Sequence, residues 1–255
     1  MLVLNKHDVA YYRCDKCGSL QTEQPFWLAE AYETSLTKSD VGAVGRCLTC
    51  RAAIWVLLRL LRMREVRLLD FGGGSGLLCR LLRDIGIDAW TYDSYGTSEY
   101  ALSFKTEKEQ LVPGSFNMVS SFELLEHLPE PGKDLEAIFR LAPETFFAST
   151  EPYSPAYQQD WWYLSPSTGQ HVFFYSPQAL QMIAARFGYS LVSVGGWHLF
   201  TRQPLGRNLS RMVRRSLSSR VLLCSRIVIE ALPTWRHIQR DHALSLGGGR
   251  INDTE

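Results

Sequence analysis

Residues 66–76, V-R-L-L-D-F-G-G-G-S-G, constrain this chain more than any other stretch. A short apolar run ends in a carboxylate, Asp70. Four glycines follow within five positions: Gly72, Gly73, Gly74 and Gly76. Leu77, Leu78, Leu81, Leu82 and Ile85 then recur at helical spacing, and Gly86 suits a helix stop. The pattern predicts strand, tight turn, helix. Glycines let that turn adopt positive φ and let a ligand lie directly on the backbone. The helix N-terminus beside it favours a polar or anionic group.

The dinucleotide fingerprint G-x-G-x-x-G is not met, because the sixth position is Leu77 or Leu78 in either frame. The pattern is G-x-G-x-G with an acid two residues ahead. Asp93 follows Gly76 by 17 residues, at the end of a predicted second strand, I-D-A-W-T-Y-D. A carboxylate there is acceptor-only and suits two hydroxyl donors. Together these residues resemble motif I of the class I S-adenosylmethionine (SAM) methyltransferases. The resemblance implies an α/β, Rossmann-like doubly wound sheet of seven strands. It puts Asp70 near the methionine end of SAM. It puts Gly72, Gly73, Gly74 and Gly76 under the sugar, and Asp93, followed by Ser94, at the ribose hydroxyls.

Residues 116–121 read as a buried strand whose carboxyl end carries Glu123, Glu126 and His127, where open α/β sheets place ligands. The run E-x-L-E-H-L-x-x-P is similar to small-molecule SAM methyltransferases, which implies that Glu123, Glu126 and His127 lie near the methyl donor. A loop cap is an equal reading of His127. Residues 151–175 form an aromatic insertion that includes Tyr153, Tyr157, Trp161, Trp162 and Tyr163, then Gln170 and His171. A long loop at the ligand end of a sheet carries function; the competing reading is that its rings only close the core. W-W-Y-x-S-P-x-T-G-Q-H-x-x-F-Y-S, with Y-R-C-x-x-C-G near the start, is similar to bacterial methyltransferases associated with glycan biosynthesis. That resemblance implies O-methylation of a sugar or glycan precursor, with Trp161, Trp162, Tyr163 and Gln170 at the substrate. Histidine titrates near neutral pH, so His171 is the first choice for the base that takes the acceptor proton and His127 the second.

Four of six cysteines form two Cys-x2-Cys pairs, Cys14/Cys17 and Cys47/Cys50, separated by 29 residues. The start, M-L-V-L-N-K-H-D, does not read as a secretion signal, so a cytoplasmic setting and metal binding are expected rather than disulfides. Four thiolates suit tetrahedral zinc. Residues 1–50 therefore read as a zinc-ribbon-like module with a short helix near 25–34, and His7 as a spare ligand. Residues 51–204 read as the methyltransferase domain: an apolar helix over 52–64, a third strand near 102–104, a helix over 133–141 and a strand over 145–150. Ser176 then caps a helix that starts with Pro177 and ends at Gly188. Strands over 190–194 and 197–201 close the domain.

Residues 205–255 carry nine arginines, no lysine and four acids, a net of +5 against −4 for the remainder. This tail reads as a helical hairpin on the domain, or as a basic face against the inner side of a membrane, with a disordered end from about 246. The whole-chain charge of +1 creates no field that points to nucleic acid. No stretch is long and apolar enough to span a bilayer. Two rival readings remain at this level: an RNA methyltransferase that clamps RNA with the zinc module and tail, and a SAM- or partner-binding protein without turnover. No D/N/S-P-P-Y/F/W tetrapeptide is present, which argues against a base-amine methylase.

Overall fold

The structure is a computed structural model that describes residues 1–32, 41–157 and 160–246. Its elements in chain order are β1 (Leu2–Val3), β2 (His7–Asp8), β3 (Tyr11–Arg13), β4 (Leu20–Thr22), α1 (Leu28–Ala31) and α2 (Ala43–Leu60). Then come β5 (Arg67–Phe71), α3 (Leu77–Asp84), β6 (Asp88–Tyr92), β7 (Met118–Phe122), α4 (Pro131–Arg140) and β8 (Thr145–Ser149). β9 (Phe173–Phe174), α5 (Pro177–Phe187), β10 (Ser190–Val194) and β11 (Trp197–Thr201) complete the domain, and α6 (Arg207–Ser216), α7 (Ser219–Glu230) and α8 (Trp235–Ser245) form the tail.

The main sheet has six strands in the order β6-β5-β7-β8-β11-β10. The first four are parallel and the β8–β11–β10 end is antiparallel. Both faces are covered. Leu57, Leu68, Cys79, Leu82 and Phe147 make the core under α2 and α3. Leu135, Ile138, Phe146, Leu180 and Phe200 make the core under α4 and α5. Burial on two sides explains the unbroken apolar run in β8.

The expected seventh strand is replaced by a 3-10 turn, Leu102–Phe104. Pairing on that edge is reduced to one bridge, Thr91 to Lys105, with Thr106 N–H donating to the Thr91 carbonyl at 2.8 Å. The following K-T-E-K-E-Q run lacks β-branched apolar and aromatic residues, and Glu107 and Gln110 close a capping box instead. The Ser176 cap forms as expected, its Oγ accepting from Ala179 N–H at 3.0 Å.

The four cysteines do not meet. Cys14 and Cys17 sit in the β3–β4 turn, and Cys17 packs toward the α4/α5 core. Cys47 and Cys50 lie on α2 and pack into the opposite core. Spacing of three residues places two side chains on one helical face, and a buried free cysteine acts as a small apolar group. The four-thiolate zinc reading is therefore corrected, and among the described residues no cysteine belongs to a cluster that can ligate metal. His7 pairs with Glu30 at 3.0 Å rather than with a thiolate.

Nor do the first 50 residues form a separate ribbon. α2 runs across the expected boundary at 50. β4 pairs with β9, and Trp27 Nε1–H donates to the Gly169 carbonyl at 2.8 Å. The tail docks as a helical layer: α6 and α7 pack on α2, and α8 on α3. Its outward side leaves Leu223, Ile227, Val228, Trp235 and Ile238 exposed among arginines. Among the described residues, no helix is long and apolar enough to cross a membrane. The expected disorder past 246 lies outside the described residues.

His198 on β11 makes the fold acid-sensitive. It is fully buried, donates from Nε2 to the Thr150 carbonyl at 2.9 Å and accepts at Nδ1 from Ser193 Oγ at 3.0 Å. Burial pushes its pKa down from 6.5 to about 4, against the pull of the Thr150 carbonyl. The unfolded chain therefore takes up this proton first. Stability is complete above about pH 6.5 and falls between about 6.5 and 4, by on the order of 3 kcal/mol for this residue. Denaturant titrations of His198→Gln across that range are expected to show a shallower decline than wild type; an identical slope refutes the assignment.

Candidate active site

β5 ends between β6 and β7, so the glycine turn opens at the centre of the carboxyl edge. Gly72 and Gly73 N–H groups donate to the Tyr92 carbonyl at 2.8 and 3.2 Å, which ties the turn to β6. Gly72 has φ +78°, and a Cβ there would come within 2.6 Å of the Leu124 side chain. The turn thus touches the Glu123–His127 segment through Leu124. Gly74 has φ +53°, and a Cβ there would meet nothing within 4 Å, so the side on which a side chain would stand is open, while Gly96 packs against its backbone. Gly76 is the residue from which α3 starts. Asp70 lies beneath the turn, buried, and accepts from Ser120 Oγ at 3.0 Å. Burial raises its pKa to about 7, against the pull of Ser120.

Asp93 stands where β6 ends. Oδ1 accepts from the N–H groups of Tyr95 at 2.8 Å and Gly96 at 2.6 Å; Oδ2 accepts from Gly74 N–H at 2.8 Å. A carboxylate oxygen has two lone pairs, so one position on Oδ2 remains for a ribose hydroxyl, where the sequence suggested room for two. Ser94 Oγ is 3.1 Å from the Tyr92 hydroxyl. A glycine backbone open on one side, beside a carboxylate with a spare acceptor position, fits the sugar end of SAM.

Beyond β7 the chain turns sharply. Glu123 has φ +50°, a conformation rare outside glycine and frequent at functional sites. Its N–H donates to Ser149 Oγ at 3.0 Å, and that hydroxyl donates to Glu123 Oε1 at 2.6 Å. Burial and the neighbouring Glu126 push the Glu123 pKa up, against the pull of Ser149. Glu126 is fully buried, and neither carboxylate oxygen has a hydrogen-bond partner. Burial, then the charges of Glu126 and Glu123, push the Tyr163 pKa up, and a weak hydrogen-bonding approach to Glu126 adds to this although neither Glu126 oxygen meets a partner at normal hydrogen-bond geometry.

His171 reaches this segment through backbone pairing. Val172 N–H donates to the Glu126 carbonyl at 2.8 Å, and Thr22 N–H donates to the Val172 carbonyl at 3.0 Å. The N-terminal strands thus clamp residues 170–174 against the turn after β7. The rings of His127 and His171 meet edge to face, 4.9 Å between centroids. His171 Nδ1 is 2.7 Å from the Tyr163 carbonyl; His127 Nδ1 is 3.1 Å from the Gln170 carbonyl. A carbonyl only accepts, so in a neutral His171 ring Nδ1 carries the proton and Nε2 the lone pair; His127 Nδ1 also meets the Tyr32 hydroxyl at 2.8 Å, which serves as donor or acceptor according to the tautomer. Burial, then the neighbouring His171, push the His127 pKa down to about 3, so it stays uncharged.

The aromatic insertion divides. Tyr153 and Tyr163 are buried with Phe174, and Trp161 packs against them. Tyr163 donates or accepts at Thr150 Oγ1, 3.3 Å away, and positions His171 through its carbonyl. Gln170 Nε2 donates to the Ala31 carbonyl at 2.9 Å, so its amide is committed to the fold. Of the four residues expected at the substrate, Trp161, Tyr163 and Gln170 are occupied in packing or positioning. Trp162 alone offers a free face, at 73% exposure. Sequence reading missed Tyr32, whose hydroxyl lies 2.8 Å from His127 Nδ1 and whose ring stacks on Tyr95. No local signal marks it, because only the docking of α1 brings it there.

A family model for a methyltransferase domain matches residues 48–194. The chain belongs to this methyltransferase family. Among curated proteins no sequence match is found. The fold is similar to that of the Burkholderia thailandensis 1,6-didemethyltoxoflavin-N1-methyltransferase with bound S-adenosylhomocysteine: 15% identity, TM-score 0.50, 76% of this chain and 97% of that one. The Synechocystis magnesium protoporphyrin IX methyltransferase with bound S-adenosylhomocysteine aligns at 14% identity and TM-score 0.47, over 70% and 95%. A Thermotoga maritima SAM-dependent methyltransferase aligns at 13% and 0.45, over 64% and 96%. The chain is a SAM-dependent methyltransferase, and in this methyltransferase the glycine turn after β5 lies within the matched residues.

Proposed function

We propose that the enzyme O-methylates a polyhydroxylated acceptor, a sugar or glycan precursor, held beside Glu123, His127 and His171. One observation carries this reading: the imidazoles of His127 and His171 meet edge to face, 4.9 Å between centroids, next to the turn that touches Gly72. SAM supplies a methyl group on a sulfonium, so the protein must align the acceptor and dispose of one hydroxyl proton. His171 activates the hydroxyl. Glu123, hydrogen-bonded to Ser149, and Tyr32 border the acceptor. The exposed face of Trp162 and the Tyr32–Tyr95 stack suit the apolar face of a sugar ring. A SAM-dependent activity screen over nucleotide sugars, free oligosaccharides, catechols and amines tests this. Turnover confined to amines overturns the hydroxyl assignment.

Asp93 supplies the ribose contact in this reading. Asp93→Ala is expected to weaken SAM binding by about 2 kcal/mol, roughly 30-fold, as for a hydrogen bond to a charged acceptor. Isothermal titration checks it, and a variant that binds SAM as wild type does would move the ribose elsewhere. The outward face of the tail, with Arg220 and Arg226 beside Leu223, Ile227 and Trp235, supports work at an anionic lipid surface. Co-sedimentation with anionic liposomes should be lost when Leu223, Ile227 and Trp235 are replaced by serine; equal binding refutes it.

A further inference from the structure

We propose that Glu126, His127 and His171 form a binding site for one divalent first-row transition ion. One ligating atom from each lies within 4.8 Å of the other two. An ion about 2.1 Å from each of three ligands in tetrahedral geometry holds the ligand atoms about 3.4 Å apart, so the three side chains draw in by up to about 1.4 Å to close the site.

Two features point to a cation. Glu126 is fully buried with both oxygens unpartnered. A buried, unpaired polar group is costly, and a carboxylate is more so. Each imidazole beside it has Nδ1 at a backbone carbonyl, Tyr163 for His171 and Gln170 for His127, and His127 Nδ1 also meets the Tyr32 hydroxyl at 2.8 Å. Those carbonyls are also the outer partners that fix ligand histidines in metal sites, leaving Nε2 to ligate. Two imidazoles and one carboxylate match the three-ligand set of divalent transition ions with open positions, whereas magnesium and calcium favour all-oxygen sites. The site is also distinct from the cysteine pairs, which lie in the β3–β4 turn and on α2.

The role of the ion rests on the function proposed above: an open position takes the acceptor oxygen and lowers its pKa. The oxygen then takes the methyl group, the carbon–sulfur electrons stay on sulfur as a neutral thioether, and the hydroxyl proton passes to water. His171 acts here as a ligand rather than as the base itself.

The test uses the full chain stripped with chelator, in a Cys14→Ser/Cys17→Ser background that removes the thiol pair of the β3–β4 turn. Co²⁺ is titrated by calorimetry and by visible absorption, with Mg²⁺ as the contrast. One Co²⁺ per chain is expected, with visible bands, and at least 100-fold tighter binding than Mg²⁺. Glu126→Gln and His171→Gln, checked for folding by circular dichroism, are each expected to weaken Co²⁺ binding by at least about 100-fold, since loss of even an outer partner costs 10- to 100-fold. Failure of the stripped chain to take up Co²⁺, or uptake unchanged in both variants, overturns the site. SAM binding is titrated separately on the stripped wild type. Intact SAM binding and full turnover in chelator overturn the ion while the methyltransferase reading stands. Co²⁺ binding without O-methylation of any hydroxyl acceptor leaves the site standing and removes its role.

Discussion

His171→Ala is expected to lower turnover by about 10²- to 10⁴-fold while SAM affinity changes little. The acceptor hydroxyl is barely acidic, and its proton must leave as the methyl group arrives. A positioned base contributes about that factor. The expected loss is similar for a ligand whose removal opens an ion site. SAM affinity is expected to be spared because the residues proposed to cradle it, Gly72, Gly74 and Asp93, lie on the β5 and β6 side of the turn, whereas His171 enters from the segment paired to Glu126. His127→Ala differs. His127 belongs to the turn that contacts Gly72 through Leu124, so its loss should weaken SAM binding as well as turnover. Single-turnover rates with separate SAM titrations check both. A His171→Ala enzyme with wild-type turnover would reduce this histidine to a packing residue.

Asp241→Asn is expected to destabilise the protein by about 3 kcal/mol and to release the last helix. Asp241 is buried on α8 and accepts three bonds: from Arg83 Nε and Nη2 at 2.7 and 2.9 Å, and from Arg80 Nη2 at 2.7 Å. Arg83 is itself buried, over the Phe104 ring, and its remaining ion pair is with Asp88. Breaking one side of a buried pair costs about 3–5 kcal/mol, because the other charge is stranded; Asp88 keeps this case at the lower end. Burial pushes the Asp241 pKa up, but hydrogen bonds from Arg83 and Arg80 outweigh it and hold it below the ordinary value. The contribution is therefore full above about pH 4 and is lost as pH falls through the lower folded value. Urea titration, with limited proteolysis at Arg236 and Arg240, reads both effects. A variant as stable and as protected as wild type would show that α8 is held by its apolar contacts alone.

The tail was legible only in part. Its helices and basic charge follow from local spacing, but membrane face and domain face look alike in sequence. Arg80, Arg83 and Asp241 decide that one side docks on the domain. The cysteines show the same limit. Three-residue spacing is shared by a metal knuckle and by one face of a helix, and only the continuation of α2 back to Ala43 selects the helix for Cys47 and Cys50.

Residues 66–86 determined strand, turn and helix by themselves, because every preference there is local: glycine's positive φ, leucine's helical spacing, a carboxylate at the strand's end. Ser176, Pro177 and Gly188 determined α5 for the same reason. The Glu126–His127–His171 cluster needed the tertiary structure. His171 meets His127 because Val172 pairs with Glu126 and the N-terminal strands pair with the same segment. Tyr163 and Trp161 point inward for the same reason. Which face of an aromatic or imidazole is left free depends on what packs against it, and that is decided by contacts between distant parts of the chain.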